Sequence, residues 1–436
     1  VSMFARPGIT IIRFRCASQI RRNSEASTTR ESRRRNRSTF ADTVLKGHSN
    51  ALEEMEKEIV KREDMRREDL RKNENLLLNR LLPHLQSTVL SNSRFVPVGS
   101  SITELASSHS DLDVVLFPLE KESRDQFLKT IHNNEGLKYE FMSVLRSTIV
   151  HSIHKWGDDN FKMENCLILP TLKVPLIICQ FSNGSSLDIS IPDPAFQSIR
   201  NTHLMRQYIK CDERVGRFML WLKTWSSALE IRDSKTGLLS SYHLLLLAIH
   251  FLHSEQSLSV PVLPILYQTH NDVFHKENPI ERIVSLLEER PVSDWTPMNK
   301  MSTAELIIRF FEYYSEMNVL QTMIFIDRGM VRSRPSALEK EAAVIFDPYH
   351  TQPACRSVNA LRAFREAVLF TQSRMRNGFM FNPFPPSSDC SFNNFIESSR
   401  HSDWRVDALK NRAKINAAGI HDAINSDDKM AMAKKC

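Results

Sequence analysis

The chain has 436 residues, of which 41% are hydrophobic and 25% charged, the values of an ordinary soluble globular protein. This composition excludes a fibrous protein and wholesale disorder, and the length allows two or three domains. The longest apolar run, at 244–252, is far shorter than the roughly 20 residues that a membrane-spanning helix needs, so we predict no membrane segment.

The net charge of +7 is concentrated at the N-terminus. Residues 1–38 contain ten arginines and two glutamates, which leaves the rest of the chain nearly neutral. We predict that residues 1–40 form a basic arginine- and serine-rich arm, disordered or, as an alternative, a mitochondrial targeting segment. Seven scattered cysteines without a CxxC pair are typical of reduced intracellular thiols. We expect a cytoplasmic protein, or a mitochondrial one if the arm is a targeting segment.

The first half of the chain mixes helical and strand patterns. Apolar residues follow helical spacing among alternating charges at 41–90, which predicts one long or two shorter amphipathic helices. Residues 94–117 are predicted as strand, polar turn and strand, and residues 120–155 as largely helical. Two β-rich segments follow, "LPTLKVPLIICQF" and "SSLDISI", and the SNG between them is typical of a hairpin.

Helical periodicity dominates after residue 200, in segments such as "GRFMLWLKTWSSALEI" and "STAELIIRFFEYYSEM". We therefore predict an α+β architecture with a cleft between a mixed α/β half and a mainly helical half. The catalytic domain is expected at 91–200 and the helical domain at 201–380, which the helices at 41–90 join. A polar tail is expected at 381–436, with one possible helix around 402–425, because "NPFPPSSDCSFNN" is typical of the end of a folded body.

Two aspartates lie close together in the stretch "VPVGSSITELASSHSDLDVVLF". Alternate side chains of a strand share a face, so Asp111 and Asp113 are expected to point one way and their apolar neighbours into a core. Adjacent carboxylates are hard to keep ionised without a cation, and oxygen ligands favour magnesium or manganese. Asp188 in "SLDISI" adds a third carboxylate if its strand lies beside the first. Three such aspartates suit a two-metal mechanism.

The glycine and serine ahead of these aspartates are candidates for phosphate binding. Gly99 lets the backbone approach a phosphate closely, and Ser100 offers its hydroxyl and N–H. Each feature alone has an ordinary structural explanation, because a single DxD is most often a solvated strand edge and GSS a turn. Their conjunction favours a site for metal and phosphate.

Several blocks of the sequence resemble signatures of a known family. The order of "GSS", "DLD" and a later strand aspartate resembles the DNA polymerase beta nucleotidyltransferase superfamily. "NTHLMRQYIKCDERV", "KTW", "GLLSSY" and "DPYHTQPACRSV" resemble the cytoplasmic poly(A) polymerase and terminal uridylyltransferase family, over about residues 45 to 370. The resemblance implies a palm-like mixed-sheet catalytic domain and a helical PAP-associated domain, with the active site in the cleft between them.

The resemblance also implies roles for individual residues. Asp111, Asp113 and Asp188 become ligands of two magnesium or manganese ions, and Asp188 also assists the attacking RNA 3′-hydroxyl. The substrate is expected to be a nucleoside triphosphate, UTP or ATP. Its phosphates are expected to contact Gly99, Ser100, Lys223 and Ser241. Asn201 and Thr202 would sense the ribose, and the ring of Tyr242 would stack on the base. Taken alone, Lys223 fits a surface lysine equally well, and Tyr242 a capped core helix.

One phosphate-binding position departs from the family pattern. Ser227 stands where many members have a second lysine, four residues after the first. The contact is therefore missing, or another cation supplies it, for which Arg232 and Lys235 are the candidates.

The base-reading segment also departs from the pattern. Asp347, His350 and Pro353 are the base-reading candidates, and Pro353 stands where uridylyltransferases have a histidine. A pocket that does not read the base edge through hydrogen bonds need not select a single base. Uridylate or mixed tails are therefore favoured narrowly over poly(A).

We therefore predict a template-independent RNA 3′-end nucleotidyltransferase that releases pyrophosphate. The alternatives are a poly(A) polymerase, an activator-dependent oligonucleotide synthase, and an inactive scaffold of the same fold. The nearly neutral body carries no recognisable RNA-binding module. Its expected partners are consequently the RNA 3′ end and an RNA-binding protein that selects the substrate, with no membrane.

Overall fold

The structure, a computed structural model, describes most of the chain from residue 39 to residue 414. The described residues are 39–72, 76–106, 110–157, 162–172, 174–288, 294–334, 344–349, 357–377, 390–398 and 403–414. Of the predicted basic arm at 1–40, only the last two positions are among them.

The N-terminal helices come first in the described chain: α1 (Phe40–Gly47), α2 (Ser49–Lys72), a π-helical turn (Leu77–Leu81) and α3 (Leu82–Val89). The hydroxyl of Thr39 caps α1 by accepting a hydrogen bond from the N–H of Asp42 at 3.2 Å. The first two helices pack on the helical half. There Arg309 lies 2.6 Å from Asp42, and Glu56 accepts from the N–H of Ala304 at 2.7 Å.

A five-stranded mixed sheet forms the first half of the molecule. Its strands are β1 (Ser93–Val98), β2 (Leu112–Pro118), β3 (Met163–Leu169), β4 (Leu176–Phe181) and β5 (Ser186–Ser190). Their order is β1-β2-β5-β4-β3, in which β2 and β5 are parallel and the other neighbours antiparallel. Two helices connect β2 to β3, namely α4 (Lys121–Asn133) and α5 (Glu135–Trp156).

The sheet is buried on both faces, which explains the continuous apolar run that follows Asp113. Leu112 and Val114 belong to a core on one face, and Val115 and Phe117 belong to a core on the other. Because apolar residues of β2 are needed on both sides, a polar side chain on this strand is tolerated only where the covering layer ends.

The leucines that precede the sheet differ from the expectation for residues 41–90. Leu77, Leu81 and Leu85 are buried in the same core as Leu112 and Val114, on the sheet. The prediction that this whole stretch joins the helical domain is therefore wrong for the π-helical turn and α3, whose apolar face fits the sheet.

The second half is mainly helical, with a small sheet in which β6 (Thr322–Phe325) lies between β7 (Met330–Ser333) and β8 (Val344–Phe346). Its core is aromatic, with Trp221, Trp225, Phe310, Phe311 and Phe364 almost fully buried. Its elements are α6 (Gln197–Cys211), α7 (Glu213–Ala228), α8 (Ser241–His253), α9 (Leu266–Thr269), α10 (Asn271–Phe274), α11 (Ile280–Glu288), α12 (Thr303–Glu316), β6 (Thr322–Phe325), β7 (Met330–Ser333), β8 (Val344–Phe346) and α13 (Val358–Arg376).

Residues 390–414 correct the expectation that the folded body ends near 381, while the helix at 403–414 agrees with the one expected around 402–425. They contain α14 (Cys390–Ser398) and α15, at 403–414. Phe392, Ile396 and Trp404 are at most 4% exposed and belong to the core of the helical half. A few apolar residues spaced for one helical face are enough to dock two otherwise polar helices.

Candidate active site

The three predicted carboxylates meet where β2 and β5 run side by side. Asp113 and Asp188 are direct partners in the parallel register of these strands. Asp111 lies one residue before β2 begins, rather than within the strand as expected, and is exposed. All three line one large cavity, of about 1170 Å³.

Burial and mutual repulsion disfavour the ionised forms of these carboxylates. Burial, followed by the negative charges of Asp188 and Asp111, raises the pKa of Asp113 to about 7. Partial desolvation and the charge of Asp188 raise the pKa of Asp111. Burial raises the pKa of Asp188 even though the Ser186 hydroxyl donates to it at 2.6 Å. Three carboxylates that resist ionisation together are suited to share cations.

The donor set fits magnesium or manganese held partly by the substrate. Among the described residues, no group of three or more His, Cys, Asp or Glu side chains forms a complete metal site. Magnesium, however, is usually bound by one or two carboxylates together with substrate phosphates, and the Asp113–Asp188 pair supplies the protein part of such a set.

Adding Mg²⁺ is expected to raise the melting temperature more at about pH 8 than at about pH 5.5. Asp113 has a pKa of about 7, so at about pH 5.5 it is mostly protonated and no longer repels Asp188 and Asp111. The cation then has less repulsion to relieve and stabilises the fold less. Differential scanning fluorimetry checks this, with sodium chloride of matched ionic strength as the control. An equal shift at both pH values would contradict the assignment.

The turn at Gly99 brings backbone close to these carboxylates. Gly99 has a φ of +71°, and a Cβ added there would lie 2.6 Å from Oδ2 of Asp113. Its N–H donates to the hydroxyl of Thr202 at 2.9 Å, and that hydroxyl donates to the carbonyl of Ser198 at 2.7 Å. Thr202 is buried and ties α6 to the turn, so its contact with a ribose stays a prediction.

Two cations hold the segment that follows this turn. Nζ of Lys223 donates to the carbonyl of Leu105 at 2.8 Å, and Nη1 of Arg66 donates to the carbonyl of Ala106 at 2.6 Å. Burial, with the charges of Arg232 and Arg66, lowers the pKa of Lys223 to about 8. The predicted phosphate contact of Lys223 would require it to exchange a carbonyl for a phosphate oxygen.

A hydrogen-bond network joins Tyr242 to two other predicted residues. Its hydroxyl lies 2.9 Å from Oδ1 of Asn201 and 3.2 Å from Oδ2 of Asp347, which is 3% exposed. Asp347 also accepts from the N–H of Tyr349 at 2.8 Å. Asp347, predicted as a base-reading candidate, thus holds the ring of Tyr242, and His350 and Pro353 lie outside the described residues.

The remaining candidates cluster near the start of α8. Nη1 of Arg232 donates to the hydroxyl of Ser241 at 2.7 Å, and its Nη2 donates to the hydroxyl of Ser227. Arg232 thus lies beside Ser227, at the position where many family members have a second phosphate-binding lysine.

The cavity collects nearly all of the predicted site residues. Those that line it are Gly99, Ser100, Asp111, Asp113, Asp188, Asn201, Thr202, Lys223, Ser241 and Tyr242. Part of its wall comes from α2, through Ile59, Arg62, Met65 and Arg66, which the sequence analysis missed. In sequence α2 has apolar residues at helical spacing among alternating charges, and this pattern does not distinguish the charged residues that face a cavity from those that face solvent.

Comparison by sequence finds relatives over most of the described chain. Residues 52–210 match the family model described as poly(A) RNA polymerase, mitochondrial-like, central palm domain. Poly(A) RNA polymerase GLD2 of Homo sapiens is 25% identical over 323 residues, which are 72% of this chain and 62% of GLD2. GLD2 of Rattus norvegicus is 27% identical over 296 residues, 65% of this chain and 56% of GLD2. The chain thus spans less than two thirds of these relatives.

Comparison by structure finds the same fold in solved proteins. A structure of a GLD-2/RNP-8 complex matches with a TM-score of 0.53 and 20% identity, covering 80% of this chain and 99% of that one. The RNA terminal uridylyl transferase Cid1 matches with 0.54 and 19% identity, covering 78% and 98%. A further Cid1 structure, bound to MgGTP, matches with 0.53 and 19% identity, covering 78% and 98%. At these identities the likeness concerns the fold.

Proposed function

We propose that the chain adds ribonucleotides to RNA 3′ ends without a template, because residues 52–210 match a poly(A) RNA polymerase palm domain and the sequence is similar to GLD2 over 323 residues. The observation that carries the proposal is the pairing of Asp113 with Asp188 in register, beside the Gly99 turn. This pairing puts carboxylates, which can hold metal ions, and a glycine backbone, which can approach phosphate, in one cavity. Nucleotidyl transfer from a triphosphate requires both kinds of group.

In the proposed reaction, the RNA 3′-oxygen bonds to the α-phosphorus and the bond to the departing pyrophosphate breaks. Asp111, Asp113 and Asp188 would hold magnesium or manganese, which when bound neutralises phosphate charge and makes the 3′-hydroxyl more acidic. We assign Asp188 the place beside that hydroxyl, where it would accept the proton, because the family resemblance gives the later strand aspartate this role. Two ions are proposed, and the MgGTP-bound relative supports magnesium.

The nucleotide is proposed to lie between the sheet and the helical half. Gly99 would let the backbone approach the triphosphate closely, Ser100 would bind phosphate through its hydroxyl and N–H, and Lys223 would add positive charge. Asn201 would contact the ribose, which favours ribonucleotides, while the ring of Tyr242, fixed by its network, would stack on the base.

Base preference is proposed as two candidates that one experiment separates. The departure at Pro353 favours uridylate or mixed tails, whereas the names of the GLD2 relatives favour adenylate. Purified protein should extend a short labelled RNA when given each ribonucleoside triphosphate in turn. Extension by ATP alone would exclude the uridylate candidate, and extension by UTP would exclude strict polyadenylation.

The same assay tests the proposed activity itself. The double variant Asp111→Ala, Asp113→Ala should extend no RNA with any nucleotide, because it lacks two of the three carboxylates. Wild-type protein that fails with all four nucleotides, with Mg²⁺ and with Mn²⁺, would instead favour the inactive scaffold. Activity only after addition of a double-stranded nucleic acid would favour the activator-dependent synthase.

We propose that a separate RNA-binding protein selects the substrate RNA. Outside residues 1–38 the chain is nearly neutral, which leaves little charge for RNA affinity, and the related GLD-2 was solved in a complex with RNP-8. A cytoplasmic location is likewise proposed. None of the helices in the described ranges combines the length and the apolar character that crossing a bilayer requires.

A further inference from the structure

Arg232 is a partly buried cation at the wall of the cavity. It follows α7, and its guanidinium reaches back to Ser227 in the last turn of that helix and forward to Ser241 at the start of α8. Its Nε is buried without a hydrogen-bond partner among the described residues. Two serine hydroxyls therefore fix the guanidinium in place, and neither neutralises its charge.

Several other arginines of the described chain are paired with acids. Arg66 contacts Glu63, Arg214 contacts Asp212, and Arg309 contacts both Asp42 and Glu312. No ion pair between described residues includes Arg232. Burial lowers its pKa, but an arginine remains protonated near neutral pH, so the charge persists. A desolvated cation without a counterion is costly, and an anionic ligand would remove that cost.

Further positive potential lies in the same part of the cavity. Arg232 and Lys223 are close enough for the charge of Arg232 to lower the pKa of Lys223. Ser241 and Tyr242 begin the 13-residue helix α8, whose first N–H groups have no partners within the helix and carry the positive end of its dipole. The exposed Lys235, by contrast, acts on the carboxylates of Asp111 and Asp188, so it lies towards the acidic part of the site.

We propose that Arg232, held by Ser227 and Ser241, binds a phosphate of the incoming nucleoside triphosphate and supplies the contact that Ser227 cannot make. The proposal rests on the proposed function, since it takes the triphosphate as the ligand of the cavity. It also changes the role of Ser241, whose hydroxyl accepts from Arg232 and so positions the guanidinium. The planar fork of an arginine can contact two phosphate oxygens at once.

Binding of inorganic tripolyphosphate, measured by calorimetry, tests this without requiring activity. Arg232→Gln should weaken binding roughly 10–100-fold, the usual effect of losing a hydrogen bond to a charged group. Arg232→Lys should recover part of that loss. The matched control is Arg217→Gln, which removes an arginine of the same cavity that is paired with Glu213 and should leave the affinity unchanged.

Equal affinity of wild type and Arg232→Gln, or an equal loss in Arg217→Gln, would overturn the assignment. Arg232→Gln loses two hydrogen bonds to serine hydroxyls but no ion pair among the described residues, so it should still fold. If it does not fold, Arg232→Lys supplies the comparison, with its smaller expected loss of affinity.

RNA extension by the same samples separates the two proposals. If wild-type protein binds tripolyphosphate, with the loss expected for Arg232→Gln, but extends no RNA, the proposed function is contradicted and the Arg232 assignment is supported. If Arg232→Gln is active and its KM for the nucleotide is unchanged, the proposed function is supported and the Arg232 assignment is contradicted.

Discussion

Replacing Asp113 with asparagine is expected to abolish RNA extension while stabilising the metal-free fold. Loss of the carboxylate should lower kcat by roughly 10²–10⁴-fold, the usual range for removing a preorganised charge or a proton-transfer group. The neutral amide also removes the cost of burying a charge and the repulsion from Asp188 and Asp111, which together raise the pKa of Asp113 to about 7. At about pH 8 the free energy of unfolding should therefore rise by roughly 1–4 kcal/mol, since one pKa unit corresponds to about 1.4 kcal/mol.

The raised pKa of Asp113 determines how the stability difference between wild type and Asp113→Asn changes with pH. The folded-state pKa of Asp113 lies above the unfolded value of 3.8, so the folded state binds more protons between the two values. In the metal-free protein this group's contribution to stability is complete below about pH 4 and is lost as the pH rises through about 7. Urea unfolding of wild type and variant should therefore diverge towards about pH 8 and converge towards about pH 4.

Asp193→Asn is the matched control, because it makes the same chemical change outside the cavity. The carboxylate of Asp193 accepts from the N–H groups of Ala195 and Gln197, each at 2.9 Å, at the start of α6. This variant should lose stability and keep its extension activity, the opposite of the pattern for Asp113→Asn. Full activity in Asp113→Asn, or lower stability than wild type at about pH 8, would contradict the role given to this carboxylate.

The sequence predicted the parts of the site that follow local rules. Alternation along a strand indicates which way Asp113 points, and the polar turn before it predicts a hairpin, which β1 and β2 form. The approach of Asp188 depends on β5 pairing in parallel with β2, a neighbour 75 residues away in the chain. The family resemblance implied that approach, since periodicity cannot fix which strands pair or in which register.

Contacts between distant segments were beyond prediction from sequence patterns. Thr202 was assigned to the ribose and the ring of Tyr242 to base stacking, and neither assignment indicates that their hydroxyls bond to Gly99 and Asp347, each more than 100 residues away. The contact of Arg66 with Ala106, across 40 residues, is of the same kind. Ser, Thr and Tyr side chains can bond with protein or with ligand, and only the tertiary structure decides which partner is nearest.

Replacing Gly99 with alanine is expected to impair activity strongly, through two separable effects. The first is backbone strain, because a φ of +71° costs about 1–2 kcal/mol for a residue with a Cβ. The second is a collision, because the added Cβ would lie 2.6 Å from Oδ2 of Asp113. A carboxylate displaced by even about 1 Å can lower kcat by roughly 10²-fold, since the reaction depends on its placement.

Gly184→Ala isolates the first effect from the second. Gly184 lies between β4 and β5 with a φ of +79°, and a Cβ added there meets nothing within 4 Å. Both alanine variants should therefore lose similar backbone stability in urea unfolding, while only Gly99→Ala should lose kcat in RNA extension. If Gly99→Ala stays within a few-fold of Gly184→Ala in kcat, the close approach of the turn to Asp113 is not a requirement of the reaction. A large loss confined to Gly99→Ala would show that glycine is needed there for the space it leaves beside the carboxylate as well as for its backbone freedom.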